Sequence, residues 1–221
     1  MSKLVKNMGI IDVFLAENYE SDQAPRLAGP NGKVIEEEAL PVDLNLEILG
    51  FDDIDTIKMV FSVIMKVNVT WTDRRVDFLH LNDDIFLNSV SSELRSKLWI
   101  PEIGMANAKT GGLEKDEFRS ILVSKDSQEE PFSTERALED TVFRGHKNRL
   151  TFLRRYQAQY HCVFDLRLFP FDEQECLMVF RMRSATRKRV ILNPGSLDYR
   201  GPRVMVEFVL EELVMQSGKN L

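Results

Sequence analysis

The chain holds 221 residues, 43% of them apolar and 29% charged, with a net charge of −6. That length builds one large β domain or two small ones around a sizeable core, and the acidic balance argues against a generic nucleic-acid binder. No run of about eighteen apolar residues is present to cross a membrane as a helix. The charge is uneven: residues 141–203 carry 13 Lys/Arg against 5 Asp/Glu, a surplus of +8, so the remainder sums to −14. Such a surplus is either a set of solvated strand faces and subunit contacts or a basic groove for an anionic ligand.

In the first twenty residues, Asp12 and Glu17 interrupt any apolar core and no small-residue cleavage site follows, so no secretory leader is expected. Leu4, Met8, Ile11 and Leu15 recur at i, i+4, i+7 and i+11, which predicts an amphipathic helix over residues 3–20. Residues 21–41, with AGPNGK and then Glu36-Glu37-Glu38, read as a loop. From Val42 the period falls to two. Leu44, Leu46 and Ile48 alternate with Asp43, Asn45 and Glu47, the pattern of a half-buried strand, and Gly50–Asp55 reads as an acidic turn. A second strand is expected over 56–75, with Val63, Met65, Val67, Val69 and Trp71 toward the core and Ser62, Lys66, Asn68 and Thr70 on the other face.

Residues 109–140 break the alternation. Leu113–Val123 and Thr134–Phe143 have helix-like spacing, with Ser133 or Thr134 placed as an N-cap, so a partly helical insertion is expected. Arg144–Asn148 reads as a hairpin turn, Arg149–Tyr160 as a strand, Asn193-Pro194-Gly195 as a turn and Val204–Met215 as the last strand. Short alternating strands between turn signals argue an all-β sandwich. Enzymatic chemistry finds no footing. His80, His146 and His161 have no metal-ligand spacing, no glycine loop or nucleophile elbow is present, and Asp52/Asp53 and Asp83/Asp84 read as turns. No cofactor, metal or catalytic residue is predicted.

The only two cysteines bracket thirteen residues in the stretch CVFDLRLFPFDEQEC, Cys162 to Cys176. An apolar Phe169-Pro170-Phe171 apex lies between strand-like flanks at 160–168 and 175–182. Two cysteines alone are as readily buried thiols as a bridge. With Asp165, Asp172 and Gln174 at their places, however, the stretch resembles the signature disulfide loop of the Cys-loop family, the pentameric ligand-gated ion channels. Every position of Cys-x2-Asp-Leu/Val-x2-Phe-Pro-x-Asp-x-Gln-x-Cys is met. Trp71-Thr72-Asp73-Arg74 is similar to that family's Trp-x-Asp motif, and Leu98-Trp99-Ile100-Pro101-Glu102-Ile103 to its Leu-Trp-x-Pro-Asp motif. The three motifs span roughly residues 40–215.

The resemblance implies a Cys162–Cys176 disulfide, whose loop closure contributes roughly 3 kcal/mol in the chain-entropy picture, and an oxidising compartment. It also implies the family's extracellular domain: an immunoglobulin-like β-sandwich of about ten strands over 36–221, behind an N-terminal helix and loop at 1–35. Such domains assemble as a ring of five, here a homo-oligomer, on the extracellular face of the plasma membrane. Their ligands sit between subunits in an aromatic box. The positions carried over are Lys66, Asn68, Thr151 and Leu153 on one side and Ala106 and Arg183 on the other.

The chain departs from the family here, since Lys66, Ala106 and Arg183 stand where aromatic walls are usual. A quaternary amine has no seat among cations, so an anionic ligand held by Lys66 and Arg183 is the sharper expectation. Trp71 and Asp73 are expected to be structural. Phe169, Pro170 and Phe171 form the expected gating contact with a membrane channel domain in the parent chain. That domain and the sandwich's closing strand are not in this sequence. Asn68-Val69-Thr70 is a glycosylation triplet, read as a chance occurrence. Two other readings stand beside the channel domain: a soluble ligand-binding protein of the same fold, and a ring scaffold that has lost its ligand.

Overall fold

The computed structural model describes residues 3–5, 11–114, 120–127, 130–131, 141–205 and 207–218. Its first strands are β1 (Lys3–Val5), β2 (Asp12–Leu15), β3 (Leu40–Asp55), β4 (Val60–Trp71) and β5 (Val76–Leu79). Then come β6 (Ser89–Val90), the one-turn helix α1 (Ser92–Arg95), β7 (Ile103–Met105), β8 (Ala108–Glu114) and β9 (Ser120–Val123). The remainder are β10 (Glu130–Pro131), β11 (Thr141–Arg144), β12 (Leu150–His161), β13 (Phe180–Met182) and β14 (Val190–Tyr199). One sheet runs β1-β2-β5-β11-β10; the other runs β14-β3-β4-β12-β9-β6, with β8 also on β12; β13 pairs β7 separately.

Strict alternation places the core. Along β4, Val63, Met65, Val67, Val69 and Trp71 are buried while the residues between them are half-exposed. The β3 partners of these residues bury the same face, with Leu44 opposite Val69, Leu46 opposite Val67 and Ile48 opposite Met65. Phe78, Phe143, Phe152 and Tyr160 fill the space with them, and Trp71 meets Trp99 edge-on at 6.1 Å. Both tryptophans are core anchors.

Asp73 is 1% exposed and ties the loop before β3 to the sandwich. It accepts from Arg75 Nε at 2.9 Å, Arg75 Nη2 at 2.8 Å, the Arg75 amide at 3.0 Å and the Tyr19 hydroxyl at 3.3 Å. Arg75 lies over the Tyr19 ring at 4.5 Å, and Tyr19 accepts from the Trp99 amide at 2.7 Å. Buried Asn148 accepts from the amides of Asp126 and Ser127 and donates to Arg144 O. Its amide thereby meets the demand that buried polar groups be hydrogen-bonded.

Several expectations change. The N-terminal stretch is not helical where it is described. Lys3–Val5 pairs Asp12–Leu15, which pairs β5 with Val13 opposite Phe78. Ile11 and Val13 are buried at alternate positions, so pairing with a distant strand overrides the helical spacing; Met8 lies outside the described residues. Gly50–Asp55 is no turn but the end of β3, bent by two bulges, and the turn falls at 56–59.

The insertion is also extended where described. β8 and β9 both pair β12, residues 141–144 are a strand, and the proposed cap at Ser133 or Thr134 lies outside the described residues. Residues 145–147 do turn, but they carry the chain from one sheet to the other, so Arg144–Asn148 is not a hairpin. A side chain at Gly145 would meet Val76 O at 2.1 Å. Asn193-Pro194-Gly195 lies inside β14, a parallel partner of β3 at the sheet edge, with a bulge between Pro194 and Leu197. An edge strand tolerates that proline. Among its described residues Val204–Met215 is not a strand; a bridge from Val204 to Val209 folds it locally.

Candidate ligand-binding surface and disulfide loop

Cys162 and Cys176 are bonded, with Cα atoms 5.3 Å apart. Inside the loop, Gln174 accepts from the Asp165 amide at 2.9 Å and donates to Asp165 O at 2.8 Å, bracing one limb against the other. Arg167 pairs with Asp165 and holds its carboxyl below the ordinary range. The Phe169–Pro170 peptide is cis. The tip is apolar and open: Phe169 is 72% and Phe171 90% exposed, and Ile57, on the β3–β4 turn, is 93% exposed. That turn is stitched to the loop, because the amides of Cys162 and Phe164 donate to Met59 O at 3.0 Å and Met59 Sδ at 3.3 Å.

Four of the six carried-over positions form one patch on the outer face of the larger sheet. β4 and β12 pair with Lys66 opposite Arg155, Asn68 opposite Leu153 and Thr70 opposite Thr151. Thr70 and Thr151 share a hydroxyl hydrogen bond of 3.1 Å. One row across the sheet reads Asp198, Glu47, Lys66, Arg155 from β14 to β12. Lys66 donates to Glu47 at 2.9 Å, and Arg200 reaches the same carboxylate at 3.3 Å. The Lys66 bond, ahead of the Arg200 charge, holds the Glu47 carboxyl below its ordinary range.

Arg155 is the residue that sequence reasoning passed over. It shares a parity with Thr151 and Leu153, which was signal enough to put it on this face. Its Nε is buried without a hydrogen-bond partner, as is Asn68 Oδ1. Like charges facing each other across strands repel. Glu47 relieves Lys66, and among the described residues no acid pairs with Arg155.

Ala106 and Arg183 sit elsewhere in the protomer, flanking the β7–β13 pair. Ala106 donates its amide to Val179 O at 2.7 Å, and Arg183 donates its amide to Glu102 O at 2.8 Å. Both side chains are exposed. The stem of Arg183 lies across Gly104, where a Cβ would fall 2.5 Å from Arg183 Cδ. The six positions therefore make two groups on one chain, one on a polar sheet face and one on a short strand pair.

A β-sandwich with a bridged, apolar-tipped loop at one end and charged strand faces on its flanks is built as a binding module. The neurotransmitter-gated ion-channel ligand binding domain matches this chain over residues 14–212, and the chain belongs to that family, whose members are ligand-gated channels and not enzymes. It is similar to the gamma-aminobutyric acid receptor subunit beta-like of Drosophila melanogaster, 25% identical over 173 residues, 74% of this chain and 31% of that protein. It is also similar to ligand-gated ion channel 50 of Caenorhabditis elegans, 24% identical over 188 residues, 84% of this chain and 32% of that one. A serotonin-gated chloride channel of the same nematode is 22% identical over 157 residues, 71% of this chain and 28% of its own length. The chain thus spans about a third of the length of these curated relatives. Among the described residues no helix is long and apolar enough to cross a membrane.

Proposed function

We propose that this chain is the extracellular ligand-sensing domain of a channel subunit, working in a ring of five. It binds a small carboxylate ligand between neighbours, Lys66, Asn68, Thr151, Leu153 and Arg155 from one and Ala106 and Arg183 from the next. The carrying observation is Arg155, a cation with no acid partner among the described residues and a buried, unpartnered Nε, set directly across from Lys66. A planar guanidinium suits a carboxylate in two-point contact, and an anion there offsets the repulsion between the two strands. The relative named for gamma-aminobutyric acid, a carboxylate-bearing compound, supports the same chemistry. An ammonium ligand fits less well, because it needs aromatic walls where Lys66, Ala106 and Arg183 stand. Binding energy that differs between two states of the ring then biases a gate through the Phe169-Pro170-Phe171 tip.

The test is a thermal-shift series on the purified protein with γ-aminobutyrate, glutamate, choline and serotonin. The carboxylates raise the midpoint and choline does not. Arg155→Gln and Arg183→Ala each weaken carboxylate binding about 10- to 100-fold, the loss of one hydrogen bond to a charged group, without lowering the unliganded midpoint. Stabilisation by choline, or binding indifferent to both substitutions, overturns the assignment. A ring scaffold that has lost its ligand is the second reading, favoured by Lys66 being already engaged by Glu47. It expects a pentamer in sedimentation and no shift with any of the four.

A further inference from the structure

From Leu177 to Leu197 the chain contains no acidic residue, yet it holds Arg181, Arg183, Arg187, Lys188 and Arg189. The last three stand together on the turn leading into β14, and all three side chains are exposed. The turn is ordered by its own backbone: Arg189 and Val190 donate to Thr186 O at 2.8 and 3.0 Å. It is also pinned to the sheet, since Leu40 donates to Arg189 O at 2.8 Å. Among the described residues no ion pair joins Arg187, Lys188 or Arg189 to an acid. The acids just before Leu40 are Glu36, Glu37 and Glu38, and Glu36 faces Arg26 at 3.7 Å. Three cations are therefore presented side by side, held in place by main-chain bonds and not by their charges.

We infer that this Thr186–Arg189 turn is a docking site for a sulfated polysaccharide chain. A short Lys/Arg-dense segment in an otherwise acidic protein is a local field that concentrates a linear polyanion. Arginine matches sulfate and carboxylate oxygens with two-point hydrogen bonds. The turn lacks the aromatic anchor that carries a protein–protein contact. A nucleic acid is the poorer occupant, because the Cys162–Cys176 bond belongs to an oxidising compartment. A lipid surface is also poorer. The turn adjoins Leu40, the first residue of β3, whereas the exposed apolar tip adjoins the turn after Asp55, its last. Sixteen strand residues at about 3.3 Å each separate them by roughly 50 Å, so a bilayer meeting the tip leaves the basic turn far off. The inference does not depend on the proposed ligand site, whose residues are not among these three.

The experiment measures binding of the intact chain to heparin at physiological salt, about 0.15 M. It compares the wild type with the triple variant Arg187→Ala/Lys188→Ala/Arg189→Ala and with Lys66→Gln. The wild type and Lys66→Gln bind alike. The triple variant, with an unchanged near-UV circular dichroism spectrum, binds at least tenfold more weakly, and its dependence of log affinity on log salt is shallower, as expected when fewer counterions are released. Three results each overturn the inference: no wild-type binding, equal binding by the triple variant, or a loss that follows Lys66→Gln instead. Two comparison probes decide the polymer. Polyglutamate or phosphatidylserine vesicles binding as tightly as heparin also overturns it.

Discussion

Asp73→Asn is the substitution that best isolates what holds the N-terminal loop to the sandwich. The carboxylate takes four donors within 3.3 Å, three from Arg75 and one from Tyr19. Arg75 is itself largely buried, its side chain 16% exposed. An asparagine keeps the volume and one acceptor oxygen but loses the charge, and it turns an amide donor toward Arg75 Nη2 or the Tyr19 hydroxyl. Stranding one partner of a buried ion pair costs about 3–5 kcal/mol, and the retained acceptor argues for the lower end, about 3 kcal/mol. For a chain of this size each kcal/mol moves the melting point by about 2–4 °C, so a fall of about 6–12 °C is expected. Urea unfolding with the disulfide intact gives the free energy directly. A cycle with Arg75→Met then reports coupling of at least about 1 kcal/mol, because the second substitution removes a cation already stranded. A loss under about 1 kcal/mol, or strict additivity, refutes the view that this pair is the clamp.

Replacing both Cys162 and Cys176 by Ser costs about 3 kcal/mol, the entropy of the loop they close; with reductant present, wild type and variant unfold at the same denaturant concentration. The Tyr19 hydroxyl titrates well above the ordinary phenol value of 10.0, chiefly through burial and then through the Asp73 charge. A raised pKa in the folded state means its contribution is complete below pH 10 and is lost as pH rises past that value, so Tyr19→Phe flattens the alkaline limb of stability against pH. Gly145→Ala drives a methyl into two carbonyl oxygens, Val76 O and Asp73 O at 2.3 Å or less, and costs at least roughly 1–3 kcal/mol by denaturant unfolding.

The long strands were legible because each buries one face. In β3, β4 and β12 the period of two follows directly from a sheet with the core on one side and a polar face on the other. The edges were not. Leu4, Met8, Ile11 and Leu15 satisfy a helical spacing, and what decides for strand where the stretch is described is the pairing of Asp12–Leu15 with Val76–Leu79, more than sixty residues away. The same holds for the described parts of Leu113–Val123: Leu113 and Glu114 pair β12 residues 42 to 44 positions later and residues 120–123 pair it 27 to 33 positions later, and the β-branched Ile121 and Val123 suit that sheet. The inserted turn at Asn193-Pro194-Gly195 failed for a related reason. Turn chemistry also serves a bulge, and Gly195 is needed because Asn45 comes within 2.2 Å of its missing Cβ.

The candidate site was legible as a face but not as a charge distribution. Parity along β4 and β12 puts Lys66, Asn68, Thr151 and Leu153 together, and Arg155 with them, whatever the rest of the chain does. Whether Arg155 stays unpaired depends on Glu47, the nearest acid in its row. Glu47 is occupied twice over, by Lys66 and by Arg200. Arg200 reaches it because β14 bulges between Pro194 and Leu197, after which the Arg200 amide bonds Ile48 O at 2.8 Å. Without that extra residue, the next strand register would carry Arg200 away and leave one Glu47 oxygen unclaimed on the cationic side. The bulge, a feature of an edge strand remote from the ligand positions, therefore sets how much positive charge the β4–β12 face presents.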